Sequence, residues 1–335
     1  MFASSARSLK ARCCVIFSKQ IGFSSTNFRM NSDKIIKRER KLKDEDDVFS
    51  QNAWDDTEWT SEMYNKAEER VKQQREESKS NVYGNSTSVS QVELRVTQSW
   101  DEFYKAHEDK FFKDRRWMFS EFPELLEFLK ASSPPCNILE VGCGVGNAVV
   151  QIIERNHNPN LHIYCCDLSS NAINTLTKRD LFKKNAKLIS AFQADACNDF
   201  DSIIARNVPL NSIDFMTLIF SMSAMKPELM QSTIINLSSL LKPDGVILFR
   251  DYAQYDLTQL RFKGKSYLRD NYYVRADGTT SYFFTKPIVD ELFSSAGLSQ
   301  VELKNDNRML VNRLRAITMS RCWIQAKYKK ENSNS

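Results

Sequence analysis

The chain has 335 residues, a hydrophobic content of 41%, a charged content of 27% and a formal net charge of +5. These values suit a soluble globular protein with one large domain or two small ones, and no apolar run approaches the roughly 20 residues of a membrane helix. Eight cysteines without a Cys-x-x-Cys spacing and only three histidines predict neither a metal site nor a disulfide.

Residues 1–30 carry five of the 47 basic residues and none of the 42 acidic ones, so the remaining 42 basic residues balance the acids. The segment is rich in serine and has apolar residues between the charges, which is the composition of a mitochondrial transit peptide. A disordered tail is the alternative interpretation. Initiation at Met30 would give a shorter, cytoplasmic form. We therefore expect the mitochondrial matrix as the location, with the cytoplasm as the alternative.

Residues 31–97 form a charged arm that is too poor in apolar residues to fold alone, and we expect it to be mostly extended. A helix is expected within it at about Ser61–Glu77. Trp54 and Trp59 lie in an otherwise polar stretch and indicate a segment that docks on the body of the protein or on a partner. An incidental aromatic turn is the alternative explanation of the two tryptophans.

From residue 98 to residue 330, strands alternate with helical patterns, which is typical of a parallel α/β sheet. The region opens with an aromatic helical layer, and its predicted helices include Asn147–Arg155, one opened by Pro227, and Pro287–Ala296. The last two of seven predicted strands should pair as an antiparallel edge. The predicted strands are Asn137–Val141, His162–Cys166, Lys187–Gln193, Ser212–Ser221, Val246–Arg250, Gln300–Asn305 and Thr318–Tyr328.

The segment Ile138–Asn147 joins an apolar strand to glycines at every second position, Gly142, Gly144 and Gly146. Such a turn lets the backbone approach a ligand more closely than any Cβ would allow. The third glycine comes one residue too early for the dinucleotide fingerprint, and no Gly-Lys-Ser/Thr follows as in a P-loop. With an acid before the first glycine, the turn resembles motif I of the Rossmann-type methyltransferases, which holds S-adenosylmethionine. An ordinary glycine-rich turn is the alternative.

Three acidic residues follow successive predicted strands, at the edge where open α/β sheets bind ligands. Glu140 precedes the glycine turn and could anchor its backbone or the amino group of the ligand. Asp167 ends the second strand, where a carboxylate bonds ribose hydroxyls. Asp195 follows the third strand and is placed to accept from the adenine amino group. Each acid alone is as readily a solvated loop residue, but the three together favour binding of S-adenosylmethionine.

An insertion at about residues 251–284 is too long for a simple link between a strand and a helix. Residues 250–331 contain 15 basic and 9 acidic residues, and aromatic residues lie between the charges. Phosphates attract Lys and Arg, and unstacked bases stack on aromatic rings, so the pattern predicts a nucleic-acid surface. A solvated charged loop is the alternative. A second cluster, Phe111–Trp117, could close over the ligand or be a packed first helix.

Several motifs together resemble one family, the eukaryotic tRNA 3-methylcytidine methyltransferases. They are NAWDDTEW, SWDEFYKAHEDKFFKDRRW, ILEVGCGVGN, YCCDLS, KPDGVILFRDY, LRF and YYVRADGTTSYFF, and they span about residues 53–329. The NAWDD arm is similar to the longer-armed branch of the family. The chain departs from the family at Arg116, where His is usual, and at Ala253, where glycine is frequent.

The resemblance implies a class I methyltransferase fold, with S-adenosylmethionine as the cofactor. The implied substrate is the cytidine at position 32 in the anticodon loop of threonine and serine tRNAs, or of arginine tRNAs. An auxiliary protein or an aminoacyl-tRNA synthetase is a further candidate partner. The cofactor contacts that carry over are Trp100, Tyr104, Gly142, Asp167, Asp195 and Ile219.

The expected reaction needs alignment more than acid–base chemistry, because N3 of neutral cytosine already has an in-plane lone pair. A carboxylate beside the base would stabilise the developing positive charge, and Asp251 at the end of the fifth strand is the candidate. Tyr252 and Phe220 would stack on the base or line its pocket, and Arg115 would hold the nearby tRNA backbone. The remaining predicted tRNA contacts are Arg250, Arg261, Lys263, Arg269 and Arg275.

Two other functions fit parts of the sequence. The Rossmann-like core alone would also serve a methyltransferase of a protein or a small molecule, because a fold does not fix a substrate. A non-enzymatic scaffold with a relic cofactor site is the second alternative, against which the intact acids and glycines argue.

Overall fold

The structure, a computed structural model, describes residues 40–80 and 89–332, all within the unit Lys37–Ser335. The predicted transit peptide lies outside the described residues. No helix of the described part of the chain is long and apolar enough to cross a membrane. The strands are β1 (Ala53–Asp55), β2 (Cys136–Val141), β3 (Leu161–Asp167), β4 (Ile189–Gln193), β5 (Ile213–Ile219), β6 (Leu241–Tyr252), β7 (Tyr267–Arg269), β8 (Tyr272–Val274), β9 (Thr280–Tyr282), β10 (Leu298–Asn312) and β11 (Ile317–Lys330).

The α-helices lie on both faces of the main sheet, and α1 belongs to the arm. They are α1 (Ser61–Ser80), α2 (Val89–His107), α3 (Met118–Glu121), α4 (Glu124–Phe128), α5 (Val149–Arg155), α6 (Ser170–Lys178), α7 (Asp180–Lys184), α8 (Ala205–Asn207), α9 (Pro227–Ser238), α10 (Leu257–Leu260) and α11 (Lys286–Ser294).

The main sheet has the order β1-β10-β11-β6-β5-β2-β3-β4. The five strands from β6 to β4 are parallel, and β11 runs antiparallel between β6 and β10. The predicted seven-stranded methyltransferase sheet is therefore confirmed, and β1 from the arm adds an eighth strand to it. The carboxyl ends of β2 to β6 consequently lie along one edge, where a ligand site is expected.

Local sequence explains the central elements. Five of the seven residues of β5 are buried in an unbroken run, as in a strand with helices on both faces. In α9, Met230, Ile234 and Leu237 form one buried face, and Pro227 occupies its first turn, where a missing N–H costs nothing. The side chain of Thr285 caps α11 by accepting from Ile288 N.

The arm docks on the body of the protein, which confirms one of the alternatives for its tryptophans. Trp54 pairs with Met309 where β1 joins β10, and its side chain is only 6% exposed. Its indole Nε1 donates to the carbonyl of Val48 at 2.8 Å. The helix expected at about Ser61–Glu77 is confirmed as α1. The expectation that the arm is otherwise mostly extended is wrong, because α1 reaches Ser80 and α2 begins at Val89. Packing against the body supplies the burial that the arm lacks by itself.

The insertion after β6 folds as α10 and a small antiparallel sheet of β7, β8 and β9. Helix α1 of the arm holds it through backbone carbonyls. Gln74 Nε2 donates to Gln259 O at 2.9 Å and to Phe262 O at 2.8 Å, and Tyr273 Oη donates to Gln74 Oε1 at 2.9 Å. The cluster Phe111–Trp117 is not the predicted first helix, since residues 108–117 form turns and loop before α3.

Candidate active site

A cavity of about 260 Å³ opens at the carboxyl ends of β2 to β5, between α2 on one side and the first turn of α9 on the other. Five predicted site residues line it together: Trp100, Tyr104, Gly142, Asp167 and Asp195. Phe220 of the predicted acceptor side also lines it. The topology thus gathers residues from five separate segments of the sequence at one point. Within the described residues, no group of three or more potential metal ligands is present.

The glycine turn fits its surroundings only without side chains. Gly142 and Gly144 have φ angles of +72° and +53°, a region that other residues adopt rarely. A Cβ on Gly142 would lie 2.5 Å from Ser221 Cβ, and a Cβ on Gly144 would lie 2.5 Å from Tyr104 Oη. The turn is therefore pressed against β5 and α2, and its backbone faces the cavity.

Asp167 fixes this turn to β3. One carboxylate oxygen accepts from Gly144 N at 2.8 Å and the other from Ser169 N at 2.9 Å. Burial raises the pKa of Asp167 to about 6. The side chain of Asp195 accepts two hydrogen bonds from its own loop. Cys197 N donates to it at 2.9 Å, and Asn198 Nδ2 donates to it at 2.8 Å. Both side chains border the cavity with acceptor capacity left for a ligand.

Glu140 lies beneath the turn rather than in the cavity wall. Its side chain is 4% exposed, and Oε2 has no hydrogen-bond partner among the described residues. Burial raises the pKa of Glu140 to about 8, although the nearby positive charge of Arg115 acts to lower it. A ligand cation near the turn would lower the cost of ionising this carboxyl. Gly144 and Ile219 also lie outside the cavity wall, with Ile219 buried in the core at the end of β5.

Helix α2 contributes more to the wall than the sequence predicted. Glu93, Leu94, Val96 and Thr97 line the cavity beside Trp100 and Tyr104. Apart from Leu94, these residues follow one another at intervals of three, one, three and four, which is one face of a helix, so this spacing was a usable signal. The side chain of Asp101 fixes α2 to α6, accepting from Ser169 Oγ at 2.7 Å and from Asn171 N at 3.0 Å. Other lining residues that the sequence did not indicate are Ala194, Asn198, Ser221, Met225, Lys226 and Leu229.

Phe220, Tyr252 and Arg115 form the acceptor side of the site. The Phe220 and Tyr252 rings lie 5.1 Å apart, and the Arg115 guanidinium lies 5.3 Å from the centre of the Phe220 ring. Phe220 has φ +54°, which is uncommon for an aromatic residue and marks strain beside the cavity. Burial lowers the pKa of Arg115, and the neighbouring Tyr252 and Glu140 oppose that change. Phe220 thus lines the cavity, with a second aromatic ring and a cation beside it.

Asp251 does not face the cavity, which corrects its predicted contact with the acceptor. The side chain is fully buried and accepts from Ser223 N and from Tyr252 N, both at 2.8 Å. Burial raises its pKa to about 6. In this conformation Asp251 positions the loop after β5 and the residue that carries the Tyr252 ring.

Arg250 is not available to bind tRNA, so this prediction is wrong. Its side chain is 3% exposed, donates to Gln325 Oε1 at 2.6 Å and pairs with Asp306. The guanidinium also lies 4.8 Å from the Trp117 ring centre and 5.1 Å from that of Trp323. The sequence could not distinguish a buried arginine at the end of β6 from a surface one, because its partners lie on distant strands.

Arg269 and Arg275 are partly used by internal contacts, whereas two other predicted residues are exposed. Arg269 pairs with Glu93 at 2.8 Å and with Glu228 at 2.7 Å. Arg275 donates to Thr280 O at 2.8 Å and closes the β8–β9 turn. Their role in substrate binding stays a prediction, and the internal contacts leave less of their positive charge for a substrate. Arg261 and Lys263 are exposed on the insertion, and their predicted role likewise stays a prediction.

The chain matches known methyltransferases in sequence. A family model described as a methyltransferase domain matches residues 114–303. The "tRNA N(3)-cytidine methyltransferase METTL2" of Xenopus tropicalis is 39% identical, with 87% of this chain and 93% of the relative covered. The "tRNA N(3)-methylcytidine methyltransferase trm140" of Schizosaccharomyces pombe is 41% identical, with 87% and 91% covered. The human "tRNA N(3)-cytidine methyltransferase METTL2B" is 37% identical, with 86% and 92% covered.

The residues around the cavity fit S-adenosylmethionine, the cofactor of this class of methyltransferase. Trp100 Nε1 and Ser221 Oγ are buried at the cavity without hydrogen-bond partners among the described residues, so a polar ligand would satisfy them. Asp167 and Asp195 would accept from its hydroxyl and amino groups. The glycine turn has no room for side chains, and Gly142 brings bare backbone to the cavity wall. The cofactor supplies an electrophilic methyl group when it is bound.

Proposed function

Because the chain belongs to the tRNA N(3)-cytidine methyltransferases, we propose that it methylates N3 of a cytidine in tRNA with S-adenosylmethionine as the methyl donor. The observation that carries the proposal is that Phe220 lines the cofactor cavity and that Tyr252 and Arg115 lie beside its ring. An aromatic pair next to a cation accepts an unstacked base and its phosphate. A small acceptor without phosphate would not require this combination.

The residues of the acceptor side would act by orienting the base. The Phe220 and Tyr252 rings would hold its plane, and Arg115 would attract the adjacent phosphate. Neutral N3 is already nucleophilic, so the chain needs to supply no proton acceptor before methyl transfer. After transfer the base is cationic, and the buried carboxyl of Asp251 would favour this positive charge in its ionised form. Alignment of N3 with the methyl group is the main contribution to the rate.

We propose position 32 of the anticodon loop as the target, in threonine, serine or arginine tRNAs. Support comes from the motifs shared with the family and from the unpaired loop, which exposes the Watson–Crick edge that N3 belongs to. The exposed Arg261 and Lys263 on the insertion supply positive charge for the phosphates of such a loop. The proposed location is the mitochondrial matrix, on the composition of residues 1–30, and an auxiliary protein is a proposed partner.

The direct test incubates the purified chain with S-adenosylmethionine and tRNA transcripts. We expect 3-methylcytidine in a transcript with cytidine at position 32 and none when uridine replaces it. Methylation of a protein or small-molecule acceptor, with no product on any tRNA, would contradict the proposal. Mapping 3-methylcytidine across cytosolic and mitochondrial tRNAs, with and without the protein, tests the isoacceptors and the location. Activity that requires added cell extract would identify an auxiliary partner.

A further inference from the structure

A continuous series of buried ion pairs lies beneath the acceptor side of the site. We name Arg250, Asp306, Arg308 and Asp55 the ionic chain; their side chains are at most 10% exposed. Arg250 pairs with Asp306, whose other oxygen accepts from Arg308 Nε at 2.9 Å. Arg308 Nε lies 3.7 Å from Asp55 Oδ1. The ionic chain therefore runs from the end of β6 through β10 to the arm.

The inner end of the ionic chain supports both parts of the acceptor side. Arg250 precedes Tyr252 by two residues on β6, so the two side chains point to the same face of the sheet. Its guanidinium lies between the rings of Trp117 and Trp323, at 4.8 and 5.1 Å. Trp117 follows Arg115 by two residues. Arg250 therefore lies on the same strand face as Tyr252 and packs against a near neighbour of Arg115 in the chain.

The outer end of the ionic chain belongs to the arm. Asp55 is 4% exposed and lies opposite Arg308 where β1 pairs with β10. It also accepts from Arg40 Nε at 3.1 Å and from Arg40 Nη2 at 3.2 Å. The next residue, Asp56, is exposed and has φ +51°. Two neighbouring aspartates therefore differ sharply in environment, with only Asp55 connected to the body.

The charges of this network balance, so no member can be removed without effect on the others. Three arginines (Arg40, Arg308 and Arg250) face three acids (Asp55, Asp306 and Glu121), with Arg308 Nη2 3.0 Å from Glu121 Oε1. Neutralising Asp55 would leave excess positive charge in a buried region, which is unfavourable. Arg308, with one acidic neighbour fewer, would shift against Asp306, the acid that it shares with Arg250.

We propose that the docked arm positions the acceptor side of the site through the ionic chain, with Asp55 and Arg308 as positioning residues that do not touch the substrate. The inference rests on the proposed function and deepens it. It explains how a short strand that lies away from the cavity serves methyl transfer. Displacement of Tyr252 or Arg115 by about 1 Å suffices to slow a reaction that depends on alignment.

The test compares Asp55→Asn with Asp56→Asn in the full chain. We expect Asp55→Asn to lower the single-turnover rate at least about tenfold at saturating cofactor and tRNA. The dissociation constants of S-adenosylmethionine and tRNA should stay within about twofold, because neither binds the ionic chain. Asp56→Asn, which suits a left-handed backbone, should match the wild type in every measurement.

Two further measurements separate positioning from general stability. Hydrogen exchange of the amides of residues 249–253 should be faster in Asp55→Asn and unchanged in Asp56→Asn. The double variant Asp55→Asn/Arg308→Gln should be no slower than the slower single variant, because both changes break one series of contacts. If Asp55→Asn does not fold, Arg308→Lys, which keeps the charge and loses the fork of donors, takes its place with the same expected results.

A wild-type rate in Asp55→Asn would overturn the proposal. So would a rate loss that follows weaker cofactor binding, or exchange at residues 249–253 that does not change. If the wild type itself forms no 3-methylcytidine, the proposed function fails. The exchange experiment would then still decide whether the arm and the end of β6 are connected, so the two failures can be distinguished.

Discussion

At the scale of single residues, environment decides what each charged side chain can do. Arg115 and Arg250 are both basic residues in aromatic surroundings, yet Arg115 lies beside Phe220, which lines the cavity, and Arg250 lies between Trp117 and Trp323. The acids differ in the same way. Glu140 is buried with an unpaired oxygen, whereas the two oxygens of Asp167 accept backbone N–H groups. Two predictions follow from these environments.

Substitution of Gly144 by alanine should abolish cofactor binding while the protein stays folded. The new Cβ would lie 2.5 Å from Tyr104 Oη, at a φ of +53°. Gly297→Ala is the matched control, since Gly297 has φ +74° and nothing within 4 Å of an added Cβ. Both variants should lose roughly 1 kcal/mol of stability to backbone strain. Calorimetric titration with S-adenosylmethionine should detect binding only in the control, and tight binding by Gly144→Ala would contradict the site.

Glu140 should make the stability of the cofactor-free protein fall as pH rises. Burial raises its pKa from 4.5 to about 8, so the native state retains a proton that the unfolded state releases in this window. Glu140→Gln should therefore match the wild type near pH 4.5 and exceed it by roughly 4–5 kcal/mol above pH 8. Urea unfolding at several pH values measures the difference. A constant difference between the two proteins across this range would show that Glu140 ionises normally.

At the scale of elements, the arm is a structural component of the domain. Strand β1 extends the main sheet, and α1 holds the insertion through Gln74, which is fully buried. The insertion has only three short strands and one short helix of its own, so an external support for its backbone carbonyls is needed. Lys263 is exposed and directly follows Phe262, whose carbonyl accepts a hydrogen bond from Gln74 of α1.

Gln74→Ala should loosen the insertion. It removes the donor to Gln259 O and Phe262 O and the acceptor of Tyr273 Oη, and should cost about 1–3 kcal/mol of unfolding free energy. Asn65→Ala, at an exposed position of the same helix, should cost little. Denaturant unfolding and hydrogen exchange at residues 259–264 provide the measurements. Equal stability of the two variants would show that α1 does not support the insertion.

At the scale of the whole molecule, charge is distributed unevenly around a nearly neutral body. The edge formed by the carboxyl ends of the parallel strands carries the cavity and the insertion with its exposed Arg261, Lys263 and Lys265. Lys187, just before β4, is exposed at the opposite edge. A polyanion that approaches the first edge therefore meets the cofactor cavity and positive charge together.

The affinity for tRNA should consequently depend on salt and on Lys263. Binding to phosphates releases counterions, so the dissociation constant of tRNA should rise steeply with salt while that of S-adenosylmethionine changes little. Lys263→Ala should weaken tRNA binding and reduce the slope of log K against log salt by roughly one. Lys187→Ala removes the same charge at the opposite edge and should leave the slope unchanged. Identical slopes for all three proteins would exclude Lys263 from the tRNA surface.

Local patterns were sufficient to predict the fold and the cofactor side of the site. Strand and helix periods, the glycine turn and the acids after successive strands depend on neighbours within a few residues, so the sheet and the positions of Gly142, Asp167 and Asp195 could be predicted. The family motifs added Trp100 and Tyr104 on α2. These features concern one element, or two that are adjacent in the chain.

Only the tertiary structure decided which charged residues are buried and which are displayed. The partners of Arg250 lie 56 and 75 residues further along the chain, and Gln74 meets Gln259 across 185 residues. The same holds for the docking of the arm, whose residues Ala53–Asp55 become the eighth strand by pairing with β10. Burial and ion pairing depend on the contacts between distant segments, and the sequence pattern of a single segment does not contain them.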